Sequence, residues 1–344
     1  MQPLEALLIA EISSSGPMPF ETFLERALYD DEHGFYVTTG RAGGRTGDFI
    51  TSVEVGPLFA AVISSWLDRV WDSCGQPGDF RVAEAGAGVG TLYRGINRAQ
   101  PACWSSLTYT LVERSAPMRE AHDGLPTTTW RSSAGLPAQH QHVVLANELL
   151  DNLAFGIAER VEGGWAPVLV DVAEKRLGLR TGHANQDLAA LATLAPVVST
   201  GSRVPVATQA RSWIDEARTL ADHVVVFDYG ATTAELAERG QSGWLRTYAN
   251  HARGSDPLAR VGSCDITCDV AFDQLPEPTQ QWSQAAWLDE NGIERRVERA
   301  RKVWSERAHV GDLTAVAARS ALGEAEALTD ETGLGAFRVL EWRN

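Results

Sequence analysis

The hydrophobic positions in the first part of the chain recur at helical spacing. Apolar residues occupy about every third or fourth position between Phe20 and Leu28, and again between about Gly56 and Trp71. This period is typical of amphipathic helices that bury one face. The pattern therefore predicts that residues 1–75 are mostly helical.

Short apolar runs follow, and they alternate with helical patterns. Strands are predicted at Phe80–Glu84, Leu107–Glu113, Thr127–Trp130 and His142–Ala146. Helices are predicted between them at Thr91–Arg98 and Ser115–His122. This alternation is typical of a parallel sheet whose strands are joined by right-handed crossovers.

The pattern changes in the second half of the chain. Two apolar runs, Phe155–Glu162 and Trp165–Val172, flank Gly163 and Gly164 and predict a β-hairpin. Residues 183–222 are rich in alanine and predict helices that break at prolines. Later strands are predicted at His223–Asp228, Trp244–Tyr248 and Phe337–Trp342.

Acidic residues outnumber basic ones in this chain. The 344 residues include 30 Lys and Arg against 45 Asp and Glu, which gives a net charge of −15. Such a charge repels phosphate backbones and suits a cationic substrate, so a nucleic-acid partner is not expected. No apolar run approaches the roughly 18 residues of a membrane span, so no membrane partner is expected either.

The N-terminus and the cysteines indicate a cellular compartment. The segment Met1–Ala10 contains Glu5 and neither Lys nor Arg, which is not typical of a secretory signal or an Arg-rich transit peptide. The four cysteines lack Cys-x-x-Cys spacing and do not predict a disulfide framework. We therefore expect a cytoplasmic protein.

The most informative motif is a glycine-rich turn between a strand and a helix, Glu84-Ala85-Gly86-Ala87-Gly88-Val89-Gly90. Glycines permit positive φ and a close approach of ligand to backbone, and a helix start offers free N–H groups. Class I methyltransferases carry an acid at the position of Glu84, where it contacts the methionine part of S-adenosylmethionine. Glu113 ends the second strand 27 residues after Gly86, where a carboxylate can accept both ribose hydroxyls.

A nicotinamide dinucleotide is the alternative cofactor. Its fingerprint is Gly-x-Gly-x-x-Gly, in which the third glycine allows close packing of helix on strand. Here Thr91 occupies that position, and the third glycine comes one residue earlier at Gly90. The pattern therefore favours S-adenosylmethionine on Gly86, Gly88 and Gly90. A glycine turn without any ligand is the remaining alternative.

Several short motifs occur in one order along residues 16–342. They include Gly47-Asp48-Phe49-Ile50-Thr51-Ser52, Glu84–Leu92, Leu111–Ser115, Ala146-Asn147-Glu148, Asp228-Tyr229-Gly230 and Asp265-Ile266-Thr267. In this combination the chain resembles the MidA-like methyltransferases, relatives of the mitochondrial complex I assembly protein that dimethylates an arginine. The resemblance implies an α/β class I methyltransferase fold with a Rossmann-like sheet. It also implies that Asp48 and Thr51 lie near the cofactor.

The sequence departs from this family close to the expected acceptor region. Val53 and Ala154 stand where the family usually has prolines. Cys268 and Asp269 stand where it tends to have alanine and histidine. These departures concern the identity of the acceptor more than that of the cofactor.

Two carboxylates after the fourth predicted strand are candidates for holding the acceptor. Glu148 and Asp151 follow the carboxyl end of that strand, where doubly wound sheets bind ligands, and their spacing places both on one side of a helical turn. They would orient a guanidinium by forked hydrogen bonds and take its proton. Asn147 would cap that helix or touch the acceptor. Alternatively, the two acids only complement the helix dipole.

Tyr248 and His251 are further candidates, with a structural hydrogen bond as the alternative for each. No set of metal ligands is evident. Residues 1–75 are predicted to form a helical cap and cofactor lid, in which the loop Gly40–Ser52 orders on binding. Residues 76–344 form the Rossmann-like core, with an inserted substrate-binding region at about 155–222.

These observations predict an S-adenosylmethionine-dependent methyltransferase that acts on a protein or peptide, with arginine as one candidate side chain. A small-molecule methyltransferase is the second interpretation, and the departures at Ala154 and Asp269 favour it. A cofactor-binding assembly factor without catalysis is the third.

Overall fold

A computed structural model describes residues 2–38, 51–125, 130–133, 135–249 and 252–344. The chain divides into two compact units. The first, here the hairpin unit, comprises Met1–Ala42, Leu149–Glu216 and Tyr229–Glu277. The second, here the sheet unit, comprises Gly43–Glu148, Ala217–Asp228 and Pro278–Asn344.

The strands of the described residues are numbered in chain order. Strands β1 to β9 are Met18–Pro19, Phe80–Ala85, Leu107–Val112, Trp130–Ser133, Gln141–Asn147, Gly156–Val161, Gly164–Ala173, Arg176–Thr181 and Arg203–Val206. Strands β10 to β17 are Ala221–Asp228, Gly230–Ala231, Leu245–Ala249, Ala252–Gly254, Asp265–Cys268, Val270–Ala271, Gln280–Ser283 and Arg338–Arg343.

The α-helices are numbered in the same way. Helices α1 to α7 are Pro3–Ser15, Phe20–Tyr29, Phe35–Thr38, Ser52–Val55, Pro57–Ser73, Thr91–Ala99 and Ala116–Glu120. Helices α8 to α14 are Leu191–Leu194, Thr208–Leu220, Thr233–Arg239, Gln241–Trp244, Gln284–Glu290, Ile293–Arg307 and Leu313–Thr329. Short 3₁₀ segments lie at Ala102–Ser106, Ala121–Gly124, Leu150–Asn152, Gln186–Leu188, Phe272–Gln274 and Leu334–Ala336.

The sheet unit is built on a seven-stranded sheet in the order β16-β17-β10-β5-β2-β3-β4. Strands β4, β3, β2, β5 and β10 run parallel, whereas β17 pairs antiparallel with β10 and β16. The chain leaves β2 toward β3 and β4 and then returns to β5 on the other side of β2. The strand order therefore reverses between β2 and β5, which is where doubly wound sheets bind ligands. The predicted Rossmann-like α/β sheet is confirmed.

Aromatic rings fix the core of the sheet unit. The rings of Phe59 on α5 and Phe227 on β10 lie 5.4 Å apart, and Phe227 meets Trp287 on α12 edge-on at 4.9 Å. Such pairs add about 0.5–1.5 kcal/mol each beyond the burial of their surface. Trp287 Nε1 also donates to Glu341 Oε1 on β17 at 2.6 Å. These contacts join α5 and α12 to the strands β10 and β17.

The hairpin unit contains the predicted hairpin. Strands β6 and β7 pair antiparallel from Val161 and Gly164 outward, in a sheet of order β1-β7-β6-β9 with β8 added to β7. Strand β12 pairs with β13 and β14 in a second small sheet, and β11 pairs with β15. Trp165 is buried in a local apolar cluster with Leu191 and Val204. This unit thus has apolar packing of its own.

The helical prediction for residues 183–222 is wrong for most of its first half, where the one α-helix, α8, covers only Leu191–Leu194, and for β9, which covers Arg203–Val206. Pro205 interrupts the helical pattern there, and it lies in β9 opposite Ile157 of β6. Because β9 ends the path of strands in its sheet, the missing N–H of the proline is tolerated. Helix α9 then follows as the pattern indicates.

The predicted cap of residues 1–75 is divided between the two units. Helices α1 to α3 belong to the hairpin unit, whereas α4 and α5 belong to the sheet unit, because the apolar stripe of α5 packs into the sheet core. The third strand is found at Trp130–Ser133, and residues 127–129 of its prediction lie outside the described residues. Every helix of the described residues is too short or too polar to cross a membrane.

Candidate cofactor and acceptor site

The candidate cofactor residues meet at one edge of the parallel sheet. Ala85, the last residue of β2, lies in register with Val112 of β3 and with Ala146 of β5. The glycine turn, Glu113 and Glu148 each follow one of these three strand ends. The topology therefore brings together what the sequence analysis placed at separate positions.

All three glycines of the turn adopt positive φ. The φ angles are 68° at Gly86, 53° at Gly88 and 81° at Gly90. A Cβ atom built on Gly90 would lie 3.2 Å from side-chain carbons of Leu111 and Leu125, so this glycine allows close packing. Among the described residues, no atom lies within 4 Å of a Cβ atom built on Gly88. Gly88 therefore borders space that these residues leave open to a ligand.

Glu113 is bonded to this turn. Its Oε2 accepts from Gly88 N at 2.9 Å, and its Oε1 accepts from Ser115 N at 2.8 Å. Burial raises the pKa of Glu113, and the two backbone amides oppose that rise. A carboxylate has about four acceptor sites, so these two bonds still leave room for ribose hydroxyls.

Glu84 lies within β2 and is buried. Tyr109 on β3 donates its hydroxyl to Glu84 Oε2 at 2.9 Å. Burial raises the pKa of Glu84 to about 8; the hydrogen bond from Tyr109 opposes the rise, and the neighbouring Glu113 adds to it. In the absence of ligand, Glu84 is therefore largely protonated at neutral pH.

The observed geometry fits S-adenosylmethionine. Open space borders Gly88, the adjacent Val89 exposes 38% of its surface, and Glu113 lies at the end of the next strand. A nucleoside with vicinal hydroxyls suits Glu113, and an apolar ring suits Val89. The assignment of Glu84 to the ammonium of the methionine part stays a prediction.

Two side chains at the turn were not identified from the sequence. His122 Nε2 lies 2.8 Å from Gly88 O, and Arg94 Nη1 donates to Val89 O at 2.6 Å. His122 is 34 positions after Gly88 and has no motif around it that signals this contact. Only the fold brings it to the turn.

Glu148 follows β5 in an unusual backbone conformation. Its φ is 54°, and its amide donates to Phe227 O at 2.8 Å. Its Oε1 accepts from Ser52 N at 2.9 Å and from Asn147 Nδ2 at 3.0 Å. Ser52 in turn donates its hydroxyl to Gln284 Oε1 at 2.9 Å. Glu148 thus connects the sheet edge to the start of α4.

The predicted helical turn that would carry both acids is absent from this part of the structure. A short 3₁₀ segment begins only at Leu150, and Glu148 precedes it in the left-handed region. The spacing of three therefore does not place Glu148 and Asp151 on one side of a helix. The alternative that both acids complement a helix dipole fails for the same reason, because Glu148 is not part of a helix. The cause is local, because positive φ is incompatible with a right-handed helix.

Asp151 belongs to a buried polar network in the hairpin unit. Its Oδ2 accepts from the Tyr229 hydroxyl at 2.5 Å and from Thr267 Oγ1 at 2.7 Å. Burial raises the pKa of Asp151, while these two hydroxyls and the charge of Arg246 oppose the rise. Asn152 Nδ2 donates to Asp151 Oδ1 at 3.2 Å. Both oxygens of Asp151 therefore have partners within its own unit.

The remaining predicted site residues have different outcomes. Thr51 precedes α4, and its amide donates to Glu54 Oε2 at 3.2 Å. Tyr248 lies on β12 in register with Asp265 of β14. Asp48, His251 and most of the loop predicted as a lid lie outside the described residues. Among the residues that the structure does describe, no group of three His, Cys, Asp or Glu side chains is arranged to hold a metal.

Three of the four positions that depart from the family pattern lie in the hairpin unit, whereas Val53 lies on α4 in the sheet unit. Asp269 pairs with Arg239 at 2.8 Å and with Arg246 at 2.5 Å, so its charge is compensated internally. Ala154 and Cys268 line one small, largely apolar pocket. Two departures that are distant in sequence therefore share one local environment.

Comparison with known proteins gives consistent matches. A model of a family described as S-adenosyl-L-methionine-dependent methyltransferases matches residues 62–289. The chain is 27% identical over 313 residues to the Drosophila melanogaster protein arginine methyltransferase NDUFAF7 homolog, mitochondrial, covering 77% of this chain and 67% of that protein. The mitochondrial protein arginine methyltransferase NDUFAF7 of Homo sapiens is 25% identical over 330 residues, covering 81% and 69%.

The fold also matches a solved structure. A protein from Burkholderia thailandensis, crystallised with S-adenosyl-homocysteine, aligns with a TM-score of 0.82 at 24% sequence identity. The alignment covers 99% of this chain and 92% of that one. The two proteins share their fold over nearly the whole chain.

Proposed function

Because the chain belongs to the family of S-adenosyl-L-methionine-dependent methyltransferases, we propose that its methyl acceptor is an arginine side chain of a protein. The relatives from Drosophila melanogaster and Homo sapiens are both named protein arginine methyltransferases, and their sequences are 27% and 25% identical to this chain. Their names support an arginine acceptor. A net charge of −15 favours the approach of a basic partner.

One structural observation carries the proposal. Asn147 Oδ1, at the carboxyl end of β5, is buried and has no hydrogen-bond partner among the described residues. Leaving a buried acceptor unpaired costs about 1–3 kcal/mol, so a ligand with N–H donors would be favoured there. Glu148 follows directly and adds negative charge. A guanidinium offers both the N–H groups and the positive charge that this pair requires.

The chemistry leaves the protein a limited task. Bound S-adenosylmethionine supplies a methyl group on a sulfonium, which is already activated for transfer to nitrogen. A free guanidinium has a pKa of about 12.5 or higher, so neutralising it at pH 7 beforehand would cost at least roughly 7.5 kcal/mol, at 1.36 kcal/mol per unit. The side chains instead hold the guanidinium in place and accept its proton as the new bond forms.

Glu148 is the carboxylate that we assign to this role. Its Oε1 is held by Ser52 and Asn147, which fixes the orientation of the carboxylate. A fixed carboxylate can orient a guanidinium by charge-assisted hydrogen bonds. The participation of Asp151 beside Glu148 stays a prediction, as does a cytoplasmic location.

The test is methyl transfer from S-adenosylmethionine with a labelled methyl group to cell extract that has been separated into protein and small-molecule fractions. Label in protein that is recovered as methylarginine after hydrolysis supports the proposal. Protein label that is recovered in another amino acid rejects arginine. Label only in the small-molecule fraction rejects a protein acceptor, and label in neither fraction, with cofactor bound, favours a non-catalytic assembly factor.

A small-molecule acceptor is the second candidate, which the sequence departures at Ala154 and Asp269 suggested. The structure adds no support for it, because the apolar pocket lined by Ala154 and Cys268 has room for only about one water molecule. The charge of Asp269 adds none either, because two arginines already compensate it. The fractionated extract separates this candidate from the first.

A further inference from the structure

His122 has a specific relationship to the glycine turn. The residue is fully buried in the 3₁₀ segment Ala121–Gly124, and its Nε2 lies 2.8 Å from Gly88 O. Because a carbonyl oxygen can only accept, Nε2 must carry the proton of this hydrogen bond. Burial lowers the pKa of His122, which favours the neutral ring.

The opposite side of the same glycine is held as well. Gly88 N donates to Glu113 Oε2 at 2.9 Å, while Gly88 O accepts from His122. The next carbonyl, that of Val89, accepts from Arg94 at 2.6 Å. Side chains from three different elements therefore fix the turn from outside, although no side chain of the turn itself restricts the φ of Gly88.

We infer that His122 is a positioning residue for the cofactor. Glycine is the residue with the most backbone freedom, so a turn with three glycines would lose much conformational entropy on binding a ligand. A turn that is already held loses less and binds more tightly. His122 fixes the Gly88 carbonyl while the open side of Gly88 remains accessible to the cofactor. It acts through the turn and does not need to touch the reacting atoms.

Two variants of His122 separate this role from simple packing. His122→Leu fills the space without a donor, whereas His122→Gln restores an N–H donor. We expect His122→Leu to raise the Kd of S-adenosylhomocysteine by about tenfold, the usual effect of one hydrogen bond. His122→Gln should recover most of that loss. Equal affinity in His122→Leu and the wild-type protein, or equal weakening in both variants, would overturn the inference.

His142 provides the matched control. Its Nδ1 accepts from Arg81 N at 3.0 Å, so it also bonds to the backbone of β2, but near the amino end of that strand. Burial lowers the pKa of His142 too. His142→Leu should lower thermal stability and leave the Kd of S-adenosylhomocysteine unchanged. A tenfold rise in Kd here would mean that any loss of packing in the sheet weakens binding, which overturns the specific role of His122.

A measurement on the unaltered protein decides the question if His122→Leu does not fold. In protein labelled with ¹⁵N-histidine, the Nε2 proton of His122 should exchange with solvent at least tenfold more slowly when S-adenosylhomocysteine is bound. The reason is that the ligand and the hydrogen bond stabilise the same conformation of the turn. An exchange rate that is the same with and without the ligand would overturn the inference.

Discussion

Tyr109 donates its hydroxyl to the buried carboxyl group of Glu84 across two neighbouring parallel strands, at a distance of 2.9 Å. The pKa of Glu84 is raised to about 8, chiefly by burial. The carboxyl group is therefore largely protonated at neutral pH. A ligand that binds its ionised form would have to displace this proton, so its affinity would depend on pH.

We predict that S-adenosylmethionine binds more tightly as the pH rises from 6 to 7. If the ionised form of Glu84 binds the ammonium of the methionine part, the apparent Kd should fall by roughly tenfold over this interval, because the ionised fraction rises by that factor below a pKa of about 8. Calorimetry in buffers of different ionisation enthalpy should detect release of the proton. A Kd that stays constant from pH 6 to 7 would contradict the prediction.

The same group should make the stability of the ligand-free protein depend on pH. The folded pKa of Glu84 is raised from 4.5 to about 8, so its stabilising contribution is complete below pH 4.5 and is lost as the pH rises to about 8. Glu84→Gln cannot titrate and should lose less unfolding free energy across this window. Urea denaturation at several pH values measures the unfolding free energy of both proteins. The same pH dependence in the wild-type protein and in Glu84→Gln would contradict the prediction.

Gly88→Val should abolish cofactor binding while the protein stays folded. The added side chain would enter the open space beside the turn, and valine is strained at a φ of 53°. Gly75→Val is the matched control, because Gly75 follows α5, also has positive φ, 77°, and has no atom of the described residues within 4 Å of a built Cβ atom. Both variants should lose similar stability, and only Gly88→Val should lose binding in calorimetry. Unchanged affinity in folded Gly88→Val would reject the site.

Glu113→Ala should weaken the binding of S-adenosylmethionine by about 1.5–3 kcal/mol, the usual contribution of hydrogen bonds to a charged group. The structure adds a second cause, because the variant also removes the acceptor of Gly88 N. Glu120→Ala, exposed on the neighbouring helix α7, serves as the control. Isothermal titration measures the affinity of each variant for S-adenosylmethionine. Equal affinities of Glu113→Ala and Glu120→Ala would show that Glu113 does not contribute to cofactor binding.

Glu148→Gln should bind cofactor normally and lose turnover by about 10²-fold or more, since a general base contributes roughly 10²–10⁴-fold. The amide oxygen of glutamine can still accept from Ser52 N, so the local structure should persist. Glu306→Gln is the control, because it also removes one negative charge but at an exposed position on α13. Labelled methyl transfer to the acceptor fraction measures the turnover of both variants. Normal turnover in Glu148→Gln would leave Glu148 only as the anchor of Ser52.

The sequence was sufficient to predict features that depend on local pattern. The turn from Gly86 to Gly90 has its signal in adjacent residues, and the parallel strands follow from apolar runs of the right length. Once the strand order is known, Glu113 and Glu148 must lie at the same edge as the turn. Backbone periodicity and one chirality rule account for this part of the site.

Features that depend on distant residues or on one unusual dihedral angle could not be predicted in this way. His122 reaches Gly88 only because the segment after β3 folds back over the turn. The positive φ of Glu148 has no sequence signal, because non-glycine residues seldom adopt it, and it invalidates the helical spacing to Asp151. Pro205 likewise indicates a helix break but does not reveal the edge strand β9.

The left-handed backbone at Glu148 has a consequence for how this position would respond to selection. A non-glycine residue in such a conformation is destabilised by about 1–2 kcal/mol relative to glycine. The hydrogen bonds that Glu148 Oε1 accepts from Ser52 N and Asn147 Nδ2 offset part of this cost. Random mutagenesis followed by selection for heat resistance would retain the glutamate if these bonds outweigh the strain and would replace it with glycine if they do not. Replacement under that selection, with retention under selection for the methylated product, would show that position 148 is kept for a reason other than folding.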